Sequence, residues 1–271
     1  MVIQFYLEFV RDALRTARES LETAYREGTA ARTVGRGFYG DTTYELDRAV
    51  EEAVLTLAKR RLPKMTVISE ERGIEPDPSA KLTLLLDPID GSTNAKRRVS
   101  LCSTSLALAD GATFGDIFVA GVMDHMSGRM IWGSRGAVYE DWALARPSRM
   151  RDLSDAILAF DSKVYRVPHE RVEALVRLMK ATKYPRIVST AALETAYVAS
   201  GRFEAFVAPY ADLRSFDCLP AIFLVLEAGG AVDMPENELN AIPLDGSKKV
   251  NYVAAGNRAL LKAILGRLND A

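Results

Sequence analysis

The sequence predicts a mixed α+β / α/β protein on three observations. The chain opens with long helical periodicity, continues through a crowd of short apolar strands, and then alternates strand with helix. Short strands joined by turn signals favour a largely antiparallel sheet, whereas alternation favours a layered α/β unit. The change falls in residues 146–154, which divides the chain into an N-terminal α+β lobe at 1–148 and a C-terminal α/β lobe at 149–271.

Each element follows from its residues. Phe5, Phe9, Leu14, Ala17, Leu21 and Tyr25 recur at helical spacing, so residues 2–27 form one amphipathic helix ended by Gly28. Three glycines within 33–41 predict a mobile loop. Thr43 opens a second helix that runs to Leu62, ahead of Pro63. Strands are expected at 65–69, 82–86, 103–109, 116–124 and 129–133, with Asp110-Gly111 and Ser127-Gly128 as turns. In the second half, strands are expected at 157–160, 185–188, 203–208, 231–233 and 252–255. Helices are expected at 169–182, 217–228 and 258–268, and at 189–199 with Ser189 as cap and Gly201 behind.

Composition narrows the function. The 35 basic and 36 acidic residues give a net charge of -1, which argues against bulk electrostatic binding to nucleic acid or membrane. No apolar run reaches the roughly 18 residues needed to span a bilayer. The opening Met-Val-Ile-Gln-Phe-Tyr-Leu-Glu lacks a basic stretch before an apolar one, so no signal peptide is expected. Cys102 and Cys218 stand far apart and offer neither a disulfide framework nor a cysteine zinc site, so both read as packing residues of a cytoplasmic protein. Gln4 is the only glutamine, a scarcity that fits either a thermophile or compositional drift. His125 and His169 are the only histidines, so a three-histidine zinc site cannot be built and a hard metal with oxygen ligands is favoured. His125, beside Asp124 at a strand end, reads as a capping or turn residue.

The most informative segment is Asp87-Pro88-Ile89-Asp90-Gly91-Ser92-Thr93-Asn94, which follows the apolar run Leu82-Thr83-Leu84-Leu85-Leu86. Two carboxylates at the end of a buried strand are costly unless neutralised, and no Lys or Arg lies between Leu82 and Ala95 to do so. A bound cation answers the cost, and the turn at Gly91 into a helix start suits a phosphate. Further acids sit at other element ends: Glu70 and Glu71 after an apolar strand, Asp217 before an apolar helix, and Asp47 within the second helix. Any one alone reads as a cap or a solvated loop acid; together they are the pattern of an oxygen-ligand metal cluster.

The segments Ile68-Ser69-Glu70-Glu71, Asp87 to Asn94, and Asp217-Cys218-Leu219-Pro220-Ala221 with Glu227-Ala228-Gly229-Gly230 resemble the inositol monophosphatase / fructose-1,6-bisphosphatase superfamily. Val34-Gly35-Arg36-Gly37, the segment from Gly133 to Val138, Thr190-Ala191-Ala192-Leu193-Glu194 and Val253-Ala254-Ala255-Gly256-Asn257 extend the resemblance through almost the whole chain. The glycine-rich loop and Leu213-Arg214 look most like the archaeal and thermophile branch, in which both activities often share one enzyme.

The resemblance implies a layered α-β-α-β-α sandwich, the sugar phosphatase fold, and a Mg2+-dependent phosphomonoesterase of small sugar or polyol phosphates. It implies that Glu70, Asp87 and the Ile89 carbonyl hold one metal, and that Asp87, Asp90 and Asp217 hold a second. Glu70 and Ser92 would orient the attacking water, Asp47 would accept from Ser92, and the amides of Gly91, Ser92 and Thr93 would bind phosphate. Lys163, Tyr165, Arg186 and Arg214 are the candidate substrate contacts. Mn2+ as a substitute, inhibition by Li+ and a homodimer are further family expectations.

Departures keep alternatives open. Ser92 stands where inositol phosphatases usually have Thr, and Tyr210 or a neighbour stands where animal enzymes have a substrate-binding Glu. In the glycine-rich loop Tyr39 takes the place of the usual Asp, so Asp41 is the candidate for a third metal, or the loop holds none. Lys96-Arg97-Arg98 reads as a solvated turn or subunit contact, or else as a concentrator of a doubly phosphorylated substrate. The alternative activities are a 3′-phosphoadenosine 5′-phosphate or NADP phosphatase. A non-catalytic binding protein on the same fold is the alternative of another class.

Overall fold

The computed structural model describes residues 2–99 and 101–269. Helix α1 (Val2–Glu27) buries Phe9, Val10, Ala13, Leu14, Ala17 and Leu21. The chain then forms an antiparallel hairpin, β1 (Thr33–Arg36) with β2 (Thr42–Tyr44), where a loop was expected. The glycines serve its return: Gly40 takes φ 93°, and its N–H donates to the Gly37 carbonyl at 3.0 Å. Thr43 therefore lies in a strand, and helix α2 (Glu45–Arg61) begins after it. Asp47 sets that start, because its Oδ2 accepts from the Tyr44 N–H at 2.8 Å.

An eight-stranded sheet follows. Its members are β3 (Met65–Ser69), β4 (Gly73–Glu75), β5 (Leu82–Asp90), β6 (Ser103–Ala109), β7 (Ile117–Asp124), β8 (Met130–Ser134), β9 (Ala137–Glu140) and β10 (Ala143–Leu144), with helix α3 (Ser92–Arg97) after β5. The spatial order is β10-β9-β8-β7-β6-β5-β3-β4. All neighbours are antiparallel except β3 and β5, which run parallel from Met65 opposite Leu82 to Ser69 opposite Leu86. That register places the next residues, Glu70 and Asp87, side by side at the strands' carboxyl ends.

The second half contains β11 (Ile157–Phe160), α4 (His169–Ala181), β12 (Tyr184–Arg186), α5 (Ala191–Ala199), β13 (Ala205–Leu213), α6 (Ser215–Glu227), β14 (Ala231–Val232), α7 (Glu236–Asn240), β15 (Val250–Ala255) and α8 (Arg258–Asn269). Its five strands lie in the order β12-β11-β13-β15-β14, parallel through β11 and antiparallel around β15. Helix α5 begins after Thr190, with Ser189 at φ 70° ahead of it, so Ser189 does not cap it. Helix α6 begins at Ser215, which moves Asp217 into the first turn.

Three apolar clusters define the layers. The first packs α1 and α2 on one face of the large sheet, around Leu84, Leu86, Leu106 and Leu108. The second joins that sheet's other face to the five-stranded sheet through α5 and α6. Those two helices are buried almost all round, which explains why their sequences lack a polar face. The third packs α4 and α8 on the far side of the small sheet. The result is the five-layer α-β-α-β-α sandwich.

Candidate active site

The carboxyl ends of β3 and β5 open onto a cleft of about 770 Å³. Its acidic wall carries Glu70, Glu71, Asp87, Asp90 and Asp217, and Lys163, Arg166, Arg214 and Lys249 line it as well. The backbone makes the acidic cluster possible. Between Asp87 and Asp90, three steps along β5 match two along β6, because Asp87 opposes Ser105 and Asp90 opposes Ser103. Such a bulge re-aims side chains at a strand end.

The acids differ in what holds them. Asp90 Oδ2 accepts from the Ser103 hydroxyl at 3.1 Å and from the Leu193 N–H of α5 at 3.2 Å, so both halves of the chain grip one carboxylate. Asp217 Oδ2 accepts from the Arg214 N–H at 2.8 Å. Asp87 is buried, and its Oδ1 has no hydrogen-bond partner among the described residues. Burial, and then the neighbouring acids, push Glu70 and Asp87 well above the ordinary carboxylate range. Burial likewise raises Asp90 to about 7, opposed by the Leu193 amide. Asp217 is raised by burial too.

Ser92 and Asp47 stand next to them. The Ser92 hydroxyl lies 2.8 Å from Asp47 Oδ1 and 2.9 Å from the Ile89 carbonyl, and its single proton serves both acceptors. Burial lifts Asp47 to about 6. Gly91 adopts φ 82° ahead of α3, where an added Cβ would lie 2.7 Å from Thr190 Cγ2. Gly91, Ser92 and Thr93 all line the cleft, and Asn94 Nδ2 ties the turn to the carbonyls of Leu101 and Val188 at 3.1 and 2.8 Å.

The structure brings some expected substrate contacts together and not others. Lys163 and Arg214 line the cleft. Arg186 lies on the exposed strand β12, outside the cleft lining, and donates to its neighbour's Pro185 carbonyl at 3.0 Å. The side chain of Tyr165 lies outside the described residues. Asp41 reaches the cleft but pairs with Arg214 Nη1 at 2.7 Å. The same guanidinium sits 5.0 Å over the Tyr39 ring.

The Lys96-Arg97-Arg98 run does not line the cleft. Lys96 bonds the Tyr44 hydroxyl and covers that ring, while Arg98 donates to the Tyr25 carbonyl at 3.0 Å and covers the Tyr25 ring. Nor does His125 cap its turn. Asp124 does so, accepting from the Met126 N–H at 2.9 Å and from the Ser127 hydroxyl.

Sequence reasoning missed Lys249 and Arg166 on the cleft wall and Glu194 behind it. Burial raises Glu194 to about 8. Its signal was a lone acid inside the apolar stretch Ala191-Ala192-Leu193-Glu194-Thr195-Ala196. Lys249 follows Lys248 just before β15, a doublet with no periodic or motif signal in the sequence.

The donor set suits a hard cation. It consists of carboxylates, the Ile89 carbonyl and hydroxyls, and the orphaned Asp87 oxygen is a buried acceptor in need of one. Among the described residues, no three His, Cys, Asp or Glu side chains close on a single point as a finished metal cage. The acids ring an open cleft, which leaves room for water and phosphate oxygens as further ligands.

Acids gathered at strand ends beside the Gly91 turn in a five-layer sandwich fit a hydrolase of the phosphatase class, and the comparisons with known proteins bear this out. Residues 3–271 match the family model described as the Inositol monophosphatase family, and the chain belongs to that family. The Escherichia coli protein named Nus factor SuhB is 30% identical over 267 residues, spanning 95% of this chain and 94% of that protein. A Methanothermobacter thermautotrophicus protein named fructose-1,6-bisphosphatase/inositol-1-monophosphatase is 29% identical over 253 residues, spanning 88% of each. The crystal structure of extragenic suppressor protein SuhB from Bartonella henselae superposes with a TM-score of 0.78 at 23% identity, over 98% of this chain and 99% of that one.

Proposed function

We propose that the protein is a Mg2+-dependent phosphomonoesterase of small sugar or polyol phosphates, with inositol 1-phosphate and fructose 1,6-bisphosphate as the candidate substrates. The observation that carries this reading is the buried, unpartnered Oδ1 of Asp87 at the centre of four acids. In this reading the lobe at 1–148 supplies Glu70, Asp87, Asp90 and the Ile89 carbonyl, and the lobe at 149–271 supplies Asp217. These oxygens would hold Mg2+, which would supply Lewis acidity to the phosphate transfer.

The chain's own residues do the rest. Glu70 and Ser92 orient the attacking water, and Asp47 takes the Ser92 proton's hydrogen bond so that the hydroxyl oxygen faces that water. The amides of Gly91, Ser92 and Thr93 hold the phosphate at the turn into α3. Lys163, Arg166, Arg214 and Lys249 receive the rest of the substrate, and four cations lining the cleft favour a second phosphate over a bare polyol. Asp41 would be the ligand for a third ion, and its Oδ2 already pairs with Arg214.

The relatives named Nus factor SuhB favour a second reading, a binding protein on this fold. Rates on inositol 1-phosphate, fructose 1,6-bisphosphate, 3′-phosphoadenosine 5′-phosphate and NADP, with and without a chelator, separate the readings. Phosphate release abolished by the chelator supports the phosphatase. Release that survives removal of Mg2+, or no release from any of the four, overturns it. The homodimer expected of the family is tested by sizing the same preparation.

A further inference from the structure

The imidazole of His125 is buried, yet the turn it was expected to cap is served by Asp124. Its Nδ1 has no partner among the described residues, and a buried nitrogen left unpaired needs a reason. The other nitrogen supplies one. His125 Nε2 lies 2.8 Å from Thr104 Oγ1, and Thr104 Oγ1 lies 2.6 Å from the Pro88 carbonyl. A carbonyl cannot donate, so the Thr104 proton points at Pro88. Nε2 must then be the donor to Thr104, which fixes the imidazole as the Nε2–H tautomer and leaves Nδ1 as the bare acceptor.

Pro88 sits inside the bulge that lies between Asp87 and Asp90. Bulged backbone has lost part of its ladder and is held in place by whatever replaces it. Thr104 lies on β6 between Ser105 and Ser103, the residues opposite those two acids, so its hydroxyl reaches the bulge from the neighbouring strand. The His125 N–H donates to the Cys102 carbonyl at 3.1 Å, which anchors the ring's own backbone to the segment leading into β6. Burial keeps this imidazole neutral by lowering its pKa to about 3, so the ring acts as a fixed donor through the neutral range.

We propose that His125 and Thr104 are positioning residues: the chain His125 Nε2–H to Thr104 Oγ–H to the Pro88 carbonyl sets the bulge that aims Asp87, Ile89 and Asp90 into the cleft. The inference rests on the metal-site reading above. Neither residue touches substrate; both act through the backbone between the acids.

The test measures Mn2+ binding by calorimetry in the whole protein, together with the imidazole 15N shifts. His125 and His169 are the only histidines, so assignment is simple. Thr104→Val keeps the shape and removes the proton to Pro88, while Thr104→Ser keeps it. His125→Met removes the donor, while His125→Gln retains an amide donor. The wild type should show the Nε2–H tautomer at His125. Thr104→Val and His125→Met should each bind Mn2+ tenfold or more weakly, with Thr104→Ser and His125→Gln within about threefold of the wild type. The double variant Thr104→Val, His125→Met should be no weaker than Thr104→Val alone, because the two residues act in series.

Either single variant suffices if the other fails to fold. Wild-type Mn2+ affinity in a folded Thr104→Val or His125→Met protein overturns the inference, as does an Nδ1–H tautomer. A wild type that binds no Mn2+ overturns the metal site instead, and the tautomer measurement then still decides the hydrogen-bond chain.

Discussion

The hydroxyl of Ser92 donates to Asp47 Oδ1 at 2.8 Å, across 45 residues of sequence, and Asp47 Oδ2 is already committed to the Tyr44 N–H. A single buried carboxylate therefore both starts α2 and shares the Ser92 proton with the Ile89 carbonyl. Ser92→Ala removes the hydroxyl from a half-buried position, with little packing lost. Turnover should fall by about 10²- to 10⁴-fold, with Mn2+ affinity changed little. Ser92→Thr should retain most of the rate. Steady-state rates beside calorimetric metal binding check both outcomes.

Asp87 and Asp90 repel their neighbours whenever no cation is bound, which is why burial and nearby charge hold both above the ordinary range. Asp87→Asn removes one of those charges in nearly the same volume. The variant should lose activity by 10³-fold or more on an order-of-magnitude scale, yet unfold at the same or higher temperature than the metal-free wild type at about pH 8. Thermal denaturation with a chelator present decides this. A clear drop in its midpoint would show that Asp87 holds the fold together.

The same groups predict a pH dependence. In the folded protein Asp47 titrates at about 6, Asp90 and Glu71 at about 7 and Glu194 at about 8. In the unfolded chain carboxylates titrate near 4, so the folded state binds more protons through this window. Their contribution to stability is complete below about pH 4 and is lost as pH rises to about 8. His125, held near 3, works oppositely and removes stability as pH falls below about 6.5. On the metal-site reading proposed above, Mg2+ would need Glu70, Asp87, Asp90 and Asp217 ionised, so it should raise the unfolding temperature more at about pH 8 than at about pH 5.5. Equal increments at the two pH values would contradict this.

Arg214 reaches from the start of α6 to Asp41 on the hairpin at 2.7 Å and lies over the Tyr39 ring. Asp41 is 67% exposed in its side chain, so the pair adds little to global stability. Its effect should be local. Arg214→Ala should speed proteolysis within 33–44 and raise KM for a bisphosphate more than for a monophosphate, with the unfolding temperature changed by no more than a few degrees. Digestion time courses and the two KM ratios check this.

Gly91 takes a left-handed conformation with Thr190 against its Cα. Gly91→Ala should destabilise the protein by about 1–3 kcal/mol and displace the turn that carries Ser92. Denaturant unfolding would measure the loss.

Much of the fold was legible because hydrophobic period and breakers agreed. Gly28 ended α1, and the apolar run from Leu82 announced β5. The hairpin at 33–44 was hidden, because glycines written for tight backbone look like those of a mobile loop until β1 finds β2. Among site residues, the acids beside Gly91 could be read because charge at the end of an apolar strand demands a partner. Arg166 and Lys249 could not, because surface cations carry no periodicity and only the fold places them beside a cleft. Arg186 is the converse case: it was read as a substrate contact from its place in the sequence, but β12 is an edge strand and Arg186 is not among the residues lining the cleft.

Asp90 is gripped from Ser103 on one side and from Leu193 on the other, and Asp217 arrives later still in the chain. If these acids hold an ion, as proposed above, its capture is a late event in the life of each molecule. A nascent chain that has not yet released α6 from the ribosome owns most of the acids but lacks the last of them. Truncated translation products would then carry the charge without the clasp, and loading with metal would mark the finished protein.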